Sequence, residues 1–164
     1  RDPDHLIRVM STNPSYLRST SGGEATQYRD WGIPLGRRFR ALKLWYHLRI
    51  DGPDAIRRRL RRDLDNARWF AAEVEEMDDW EVVAPVRLQT VCVRHTPRAI
   101  AGDAAAVSEH NLEWVRAINT SGEAFLSPSL LDDVWMARVS VGVESTERHH
   151  LERLLALMRR HTAT

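Results

Sequence analysis

Between Pro53 and Met77, apolar side chains recur at helical spacing: Ile56, Leu60, Leu64, Ala67, Phe70 or Ala71, Val74 and Met77. A helix this long with one apolar stripe is not stable alone in water. Burying each such side chain contributes roughly 1.5–3 kcal/mol before ordering entropy is subtracted, so a sheet or a second helix must cover the stripe. The chain supplies both. Trp80 to Ala84 and Leu88 to Arg94 are runs rich in β-branched residues. A helix over 103–118, capped by Asp103, places Val107, His110 or Asn111, Trp114 or Val115, and Ile118 on one face. It ends at Asn119 to Gly122. Gly122 to Ser127 and Val134 to Val143 are expected to form a second strand pair, turning through Pro128 to Asp133. In the last strand Trp135, Ala137, Val139, Val141 and Val143 face one side, and Met136, Arg138, Ser140 and Gly142 the other. Ser145 and Thr146 are expected to cap a final helix that buries Leu151, Leu154, Leu155 and Met158. Adjacent strands with short connections predict antiparallel pairing with helices on one face, an α+β domain.

Composition narrows the functional classes. The 164 residues suit one domain, and 43% hydrophobic content suffices for a core. A net charge of +1 argues against a nucleic-acid partner or an acidic substrate. The single cysteine, Cys92, excludes an internal disulfide framework and fits a reducing compartment. Its simplest role is as a small buried hydrophobe. No apolar run approaches the length of a membrane span. The basic run Arg57 to Arg59 with Arg61 and Arg62 lacks interleaved aromatics, and its helix ends in Glu73, Glu75 and Glu76. It reads as a solvated face or a contact with carboxylates of another domain. No histidine spacing suits a metal. His149 and His150 are adjacent, so their rings are expected to point apart, and His5, His47, His95, His110 and His161 are scattered.

The stretch from Tyr28 to Arg49 reads YRDWGIPLGRRFRALKLWYHLR. A polar loop closes on a Trp, and Pro34 and Gly36 punctuate it. A helix follows with Phe39, Leu42, Trp45 (with Tyr46) and Leu48 on one face and Arg37, Arg38, Arg40, Lys43 and Arg49 beside them. Upstream, the Ser, Thr, Gly and Asn content of residues 11–26 reads as a mobile loop, and Asp51, Gly52 and Pro53 end the helix.

This wording resembles the signature of the pyridoxal-phosphate-dependent (group II) amino-acid decarboxylases, and within them the aromatic-L-amino-acid decarboxylases. Their pattern runs Asp-Tyr-Arg-x-Trp-x-Ile-Pro-Leu-Gly-Arg-Arg-Phe-Arg-x-Leu-Lys-x-Trp. Here Gln27 stands where the family often has Asp, and Gly32 where it often has Gln. Ser11 to Leu17 resembles the entry to the family's loop, and Ile118 to Gly142 its last strands. The resemblance implies the C-terminal portion of a fold-type-I enzyme. Residues 1–10 would end the large cofactor-binding domain, 11–35 form the mobile catalytic loop, 36–52 the linking helix, and 53–164 the small α+β domain.

The same resemblance implies a lyase that converts an L-amino acid, an aromatic one first, to its amine and CO2 as a cytoplasmic homodimer. Pyridoxal 5'-phosphate is then the cofactor. Such enzymes hold it through a lysine, and Lys43 is the only lysine in the chain. Lys43 matches the signature's Leu-Lys-x-Trp helix, not the anchor, so the anchor is expected upstream and this piece alone should be inactive. Tyr28 matches the family's catalytic-loop tyrosine. A phenol keeps its proton at neutral pH and can give it to the α-carbon once CO2 has left. A closing loop would also exclude water. Arg138 matches an arginine near the substrate carboxylate, for which a guanidinium offers a bidentate grip; an interdomain ion pair is the alternative. Gly36 is implied to lie near the cofactor phosphate of the partner subunit. Two other functions compete: an aldehyde-forming decarboxylase of the same fold, which a Phe at position 28 would favour, and a non-catalytic α+β interaction module.

Overall fold

The computed structural model describes residues 2–10, 28–32 and 38–162. The chain forms two compact units, residues 1–50 and 51–164. In the first, α1 spans Pro3–Met10, a 3-10 turn spans Tyr28–Trp31 and α2 spans Ala41–Ile50. The second helix starts later than its apolar spacing suggests. Residues 38–40 form an entry turn instead, with the Phe39 carbonyl accepting from Leu42 N–H at 3.2 Å and the Arg40 carbonyl from Lys43 N–H at 3.2 Å. Neither α1 nor α2 buries a residue. Gly36 and most of residues 11–35 lie outside the described residues.

In the second unit α3 spans Gly52–Glu75. Gly52 opens it with φ 76°, a conformation that costs glycine little, and Pro53 sits in the first turn. The strands β1 (Trp80–Val82), β2 (Thr90–His95), β3 (Ser127–Leu131) and β4 (Val134–Ser140) form one antiparallel sheet in the order β1-β2-β4-β3. Its edges are therefore β1 and β3. The helices α4 (Ala104–Ser121) and α5 (Arg148–Thr162) complete the unit. Phe70 and Val74 of α3, Trp114 and Ile118 of α4, and Leu155 and Met158 of α5 form one buried core with Val91, Val93, Ala137 and Val139 of the sheet. The helices thus cover one sheet face, as the α+β expectation holds.

The end of the long stripe behaves differently from its middle. Leu60 is 46% exposed, while Asp63 and Asn66, about one and two turns on, are buried. Both polar groups are satisfied. Asp63 accepts from Arg62 and from Gln89 Nε2, and Asn66 Oδ1 accepts from Arg148 Nε at 2.9 Å. Asp103 caps α4 as expected, accepting from Ala105 N–H at 2.9 Å and Ala106 N–H at 3.1 Å.

Two sequence expectations are corrected here. The strand β3 starts only at Ser127, so residues 122–126 are not strand as expected, and the segment Pro128 to Leu131 is strand, not turn. The turn is only Asp132 and Asp133, with φ of 51° and 60°, the left-handed pair that a two-residue hairpin demands. Ser145 and Thr146 do not cap α5. Glu147 precedes its first residue, and His150, three positions on, accepts from the Glu147 N–H at 3.1 Å. His150 thus takes the place that Glu or Gln has in a capping box.

Candidate functional site

Tyr28 opens the 3-10 turn, whose three-residue period brings side chains at i and i+3 into line. Its ring accordingly meets that of Trp31 edge-on, with centroids 5.3 Å apart and planes at 67°. Tyr28 stays 67% exposed and Trp31 38%. α1 lies beside this turn. The phenol ring thus meets the Trp31 ring and is otherwise largely exposed.

Arg138 projects from the sheet face that the helices leave open. Its register neighbours are Cys92 on β2 and Ser127 on β3. It is exposed and makes no hydrogen bond or ion pair among the described residues, so its guanidinium is free to grip a carboxylate. Cys92, expected inside, is only partly buried on this same face, because Val91 and Val93 take the inward positions. Nearby, Arg94 donates to the carbonyls of Leu131 and Val134 and pairs with Glu81 at 3.6 Å. Tyr28 belongs to the first unit and Arg138 to the second. Gly36 lies outside the described residues.

Lys43 tests whether this chain fits a covalently held pyridoxal phosphate. A lysine that serves as anchor must be desolvated and flanked by donors for the phosphate. Lys43 instead sits exposed on α2, between the exposed Leu42 and Leu44. No other lysine exists. The residues of this chain do not fit the anchor, and Tyr28 and Arg138 are exposed.

The basic run on α3 finds carboxylates within this chain. Arg57 pairs with Asp54 at 2.5 Å, and Arg59 lies 4.0 Å from Asp51 and 3.6 Å from Glu144. Arg62 binds Asp63 at 3.1 Å and the Glu144 carbonyl at 2.9 Å. Arg58, Arg59, Arg62, Asp51 and Glu144 line an open cleft of about 510 Å3.

A histidine pair escaped the sequence reading. His95 is buried at the end of β2, stacked on Trp80 at 4.7 Å, and its Nδ1 lies 2.7 Å from Nε2 of His110 on α4. Burial, then the charge of His110, hold the His95 pKa at about 4, with Asp79 opposing. Burial lowers the His110 pKa too, against Glu113. Asn111 explains the placement. Its amide donates to the carbonyls of His95 and Val107, and its oxygen accepts from His95 N–H and Trp114 Nε1. The rings of His149 and His150, expected to point apart, lie 3.9 Å from each other. Among the described residues no group of three His, Cys, Asp or Glu is arranged to hold a metal ion. No described helix is long and apolar enough to cross a membrane.

Comparison with known proteins agrees with the α+β unit. The family described as "Pyridoxal-dependent decarboxylase conserved domain" matches residues 1–96. L-tyrosine/L-DOPA decarboxylase 2 of Lophophora williamsii is 34% identical over 92% of this chain and 32% of its own length. Phenylacetaldehyde synthase of Arabidopsis thaliana is 33% identical over 93% of this chain and 31% of its own. The crystal structure of Oryza sativa TDC with PLP and tryptamine superposes with a TM-score of 0.84 at 31% identity, covering 98% of this chain and 34% of that one. The chain thus spans about a third of the length of these relatives. By its sequence and its fold, the chain belongs to the pyridoxal-dependent decarboxylase family.

Proposed function

We propose that this chain is the C-terminal part of a pyridoxal-phosphate-dependent decarboxylase that converts an aromatic L-amino acid to its amine and CO2. The observation that carries this reading is the family match over residues 1–96, which contains the whole Tyr28 signature. The tyrosine, DOPA and tryptophan decarboxylases among the relatives support the aromatic substrate class. The working enzyme is a cytoplasmic homodimer, in which the large domain upstream carries the anchoring lysine.

Pyridoxal phosphate, when bound to the complete enzyme, would supply an electron sink for the α-carbon as CO2 departs. This chain contributes on the substrate side. Tyr28 Oη holds a proton and delivers it to the α-carbon, then regains one from solvent. Arg138 orients the carboxylate by a bidentate hydrogen-bonded pair.

The synthase relative gives the competing reading weight. In that chemistry the substrate, dioxygen and water yield aldehyde, CO2, ammonia and hydrogen peroxide. A proton donor at position 28 favours the amine, because early protonation of the α-carbon closes the oxidative route. In full-length enzyme Tyr28→Phe should lose amine and gain aldehyde and peroxide, measured by chromatography and a peroxide assay. Unchanged amine yield from that variant would refute the role of Tyr28.

A further inference from the structure

Of the two residues that meet across the 3-10 turn, only Tyr28 has so far been given a task. We infer that Trp31 is the positioning residue for Tyr28, fixing the phenol so that its proton reaches the α-carbon before dioxygen does. This rests on the reading of Tyr28 as proton donor.

Three observations point the same way. The turn's period forces residues 28 and 31 into line, so the contact follows from backbone geometry and not from chance proximity. The rings meet edge-to-face, 5.3 Å apart at 67°, the arrangement in which the positive edge of one ring faces the negative face of the other. The contact also leaves Tyr28 67% exposed, so it restrains the ring without covering it. A tyrosine side chain has two rotatable bonds, and an indole against its ring selects among the rotamers. Proton delivery is intolerant of misplacement: about 1 Å costs on the order of a hundredfold. A wandering phenol would protonate the α-carbon late, and the oxidative route would gain.

The test uses full-length holoenzyme. Trp31→Leu removes the ring, Trp31→Phe keeps an aromatic edge, and Tyr28→Phe and the double variant Tyr28→Phe/Trp31→Leu close the cycle. Trp31→Leu should raise the aldehyde-to-amine ratio about tenfold or more while KM stays within about twofold. Trp31→Phe should restore most of the amine yield, and the double variant should match Tyr28→Phe alone. A second reading needs no turnover. With 3-fluorotyrosine at position 28, the 19F resonance should sit away from that of free fluorotyrosine, return towards it in Trp31→Leu, and return only in part in Trp31→Phe. If Trp31→Leu does not fold, Trp31→Met supplies the same comparisons with bulk retained.

A wild-type product ratio with an unmoved 19F signal in Trp31→Leu overturns the inference, as does a double variant worse than Tyr28→Phe. Normal amine yield from Tyr28→Phe overturns the proton-donor reading instead, and positioning for catalysis falls with it, whatever the 19F signal shows.

Discussion

The ring nitrogens Nδ1 of His95 and Nε2 of His110 lie 2.7 Å apart and join the end of β2 to α4. Two neutral rings share one proton in such a bond, one donating and one accepting. Two imidazoliums have no acceptor between them. The contact is therefore a bond only while at least one ring is neutral.

Its consequence is acid lability with a defined sign. Burial favours the neutral form of His95, whose pKa is about 4 against an ordinary 6.5, and that of His110 as well. The unfolded chain binds these protons more readily, so stability is full above pH 6.5 and falls as pH drops toward 4. Asp79 and Glu113 oppose the shift, and Arg159 lines the hollow beside His95. By pH 5 the loss from His95 alone is on the order of 2 kcal/mol. Urea unfolding of the chain between pH 7.5 and 4.5 checks this. His110→Asn should flatten the curve, and an equally steep curve in that variant would count against the pair.

Asn111 is 1% exposed and uses both its donors and its acceptor. Asn111→Ala would orphan the His95 backbone and the Trp114 indole together. A loss of about 2–4 kcal/mol is expected in urea unfolding at neutral pH, larger than one ordinary hydrogen bond because buried partners are left unpaired. A loss under about 1 kcal/mol would mean that water replaces the amide.

Glu123 bridges Arg153 at 2.9 Å and also pairs with Arg160. Hydrogen bonds from Arg153 and then Arg160 hold its carboxyl below the usual range. These are surface charges, so Glu123→Gln should lower the melting temperature only slightly, and the difference should vanish in about 1 M salt. A large, salt-independent drop would assign Glu123 a role in the core.

Arg138 offers the reverse case. Arg138→Met should leave the stability of the isolated chain within about 0.5 kcal/mol, since the guanidinium has no partner there among the described residues. In full-length enzyme the same substitution should raise KM for the amino acid. A stability loss in the isolated chain would instead favour a structural ion pair.

Much of the second unit was legible in its periodicities. The stripe on α3, the cap at Asp103 and the inward parity of Ala137 and Val139 each follow from local rules. What was illegible depended on long-range placement. Pro128 looks like a turn residue, yet it lies in an edge strand where its missing N–H is tolerated, and the pair Asp132–Asp133 sets the hairpin register without a glycine signal. Cys92 looked buried by its type, although the alternation of Val91 and Val93 already turned it outward. His95 and His110 stand fifteen positions apart, and the long-range Asn111 bonds help hold them together. Tyr28 and Arg138 acquired roles through resemblance, because a phenol in a turn and an arginine on a strand carry no functional signal by spacing.

The sheet's two borders bear on how copies of this chain behave when crowded. β1 offers three residues, and β3 carries Pro128, which has no N–H to donate. An incoming strand meets an incomplete ladder on either side, so fibrous growth by strand addition is disfavoured at both edges. Stickiness, where it arises, falls instead to side chains such as Phe39, Leu44 and Ile50, each more than half exposed, and this is cured by covering them, not by redesigning the sheet.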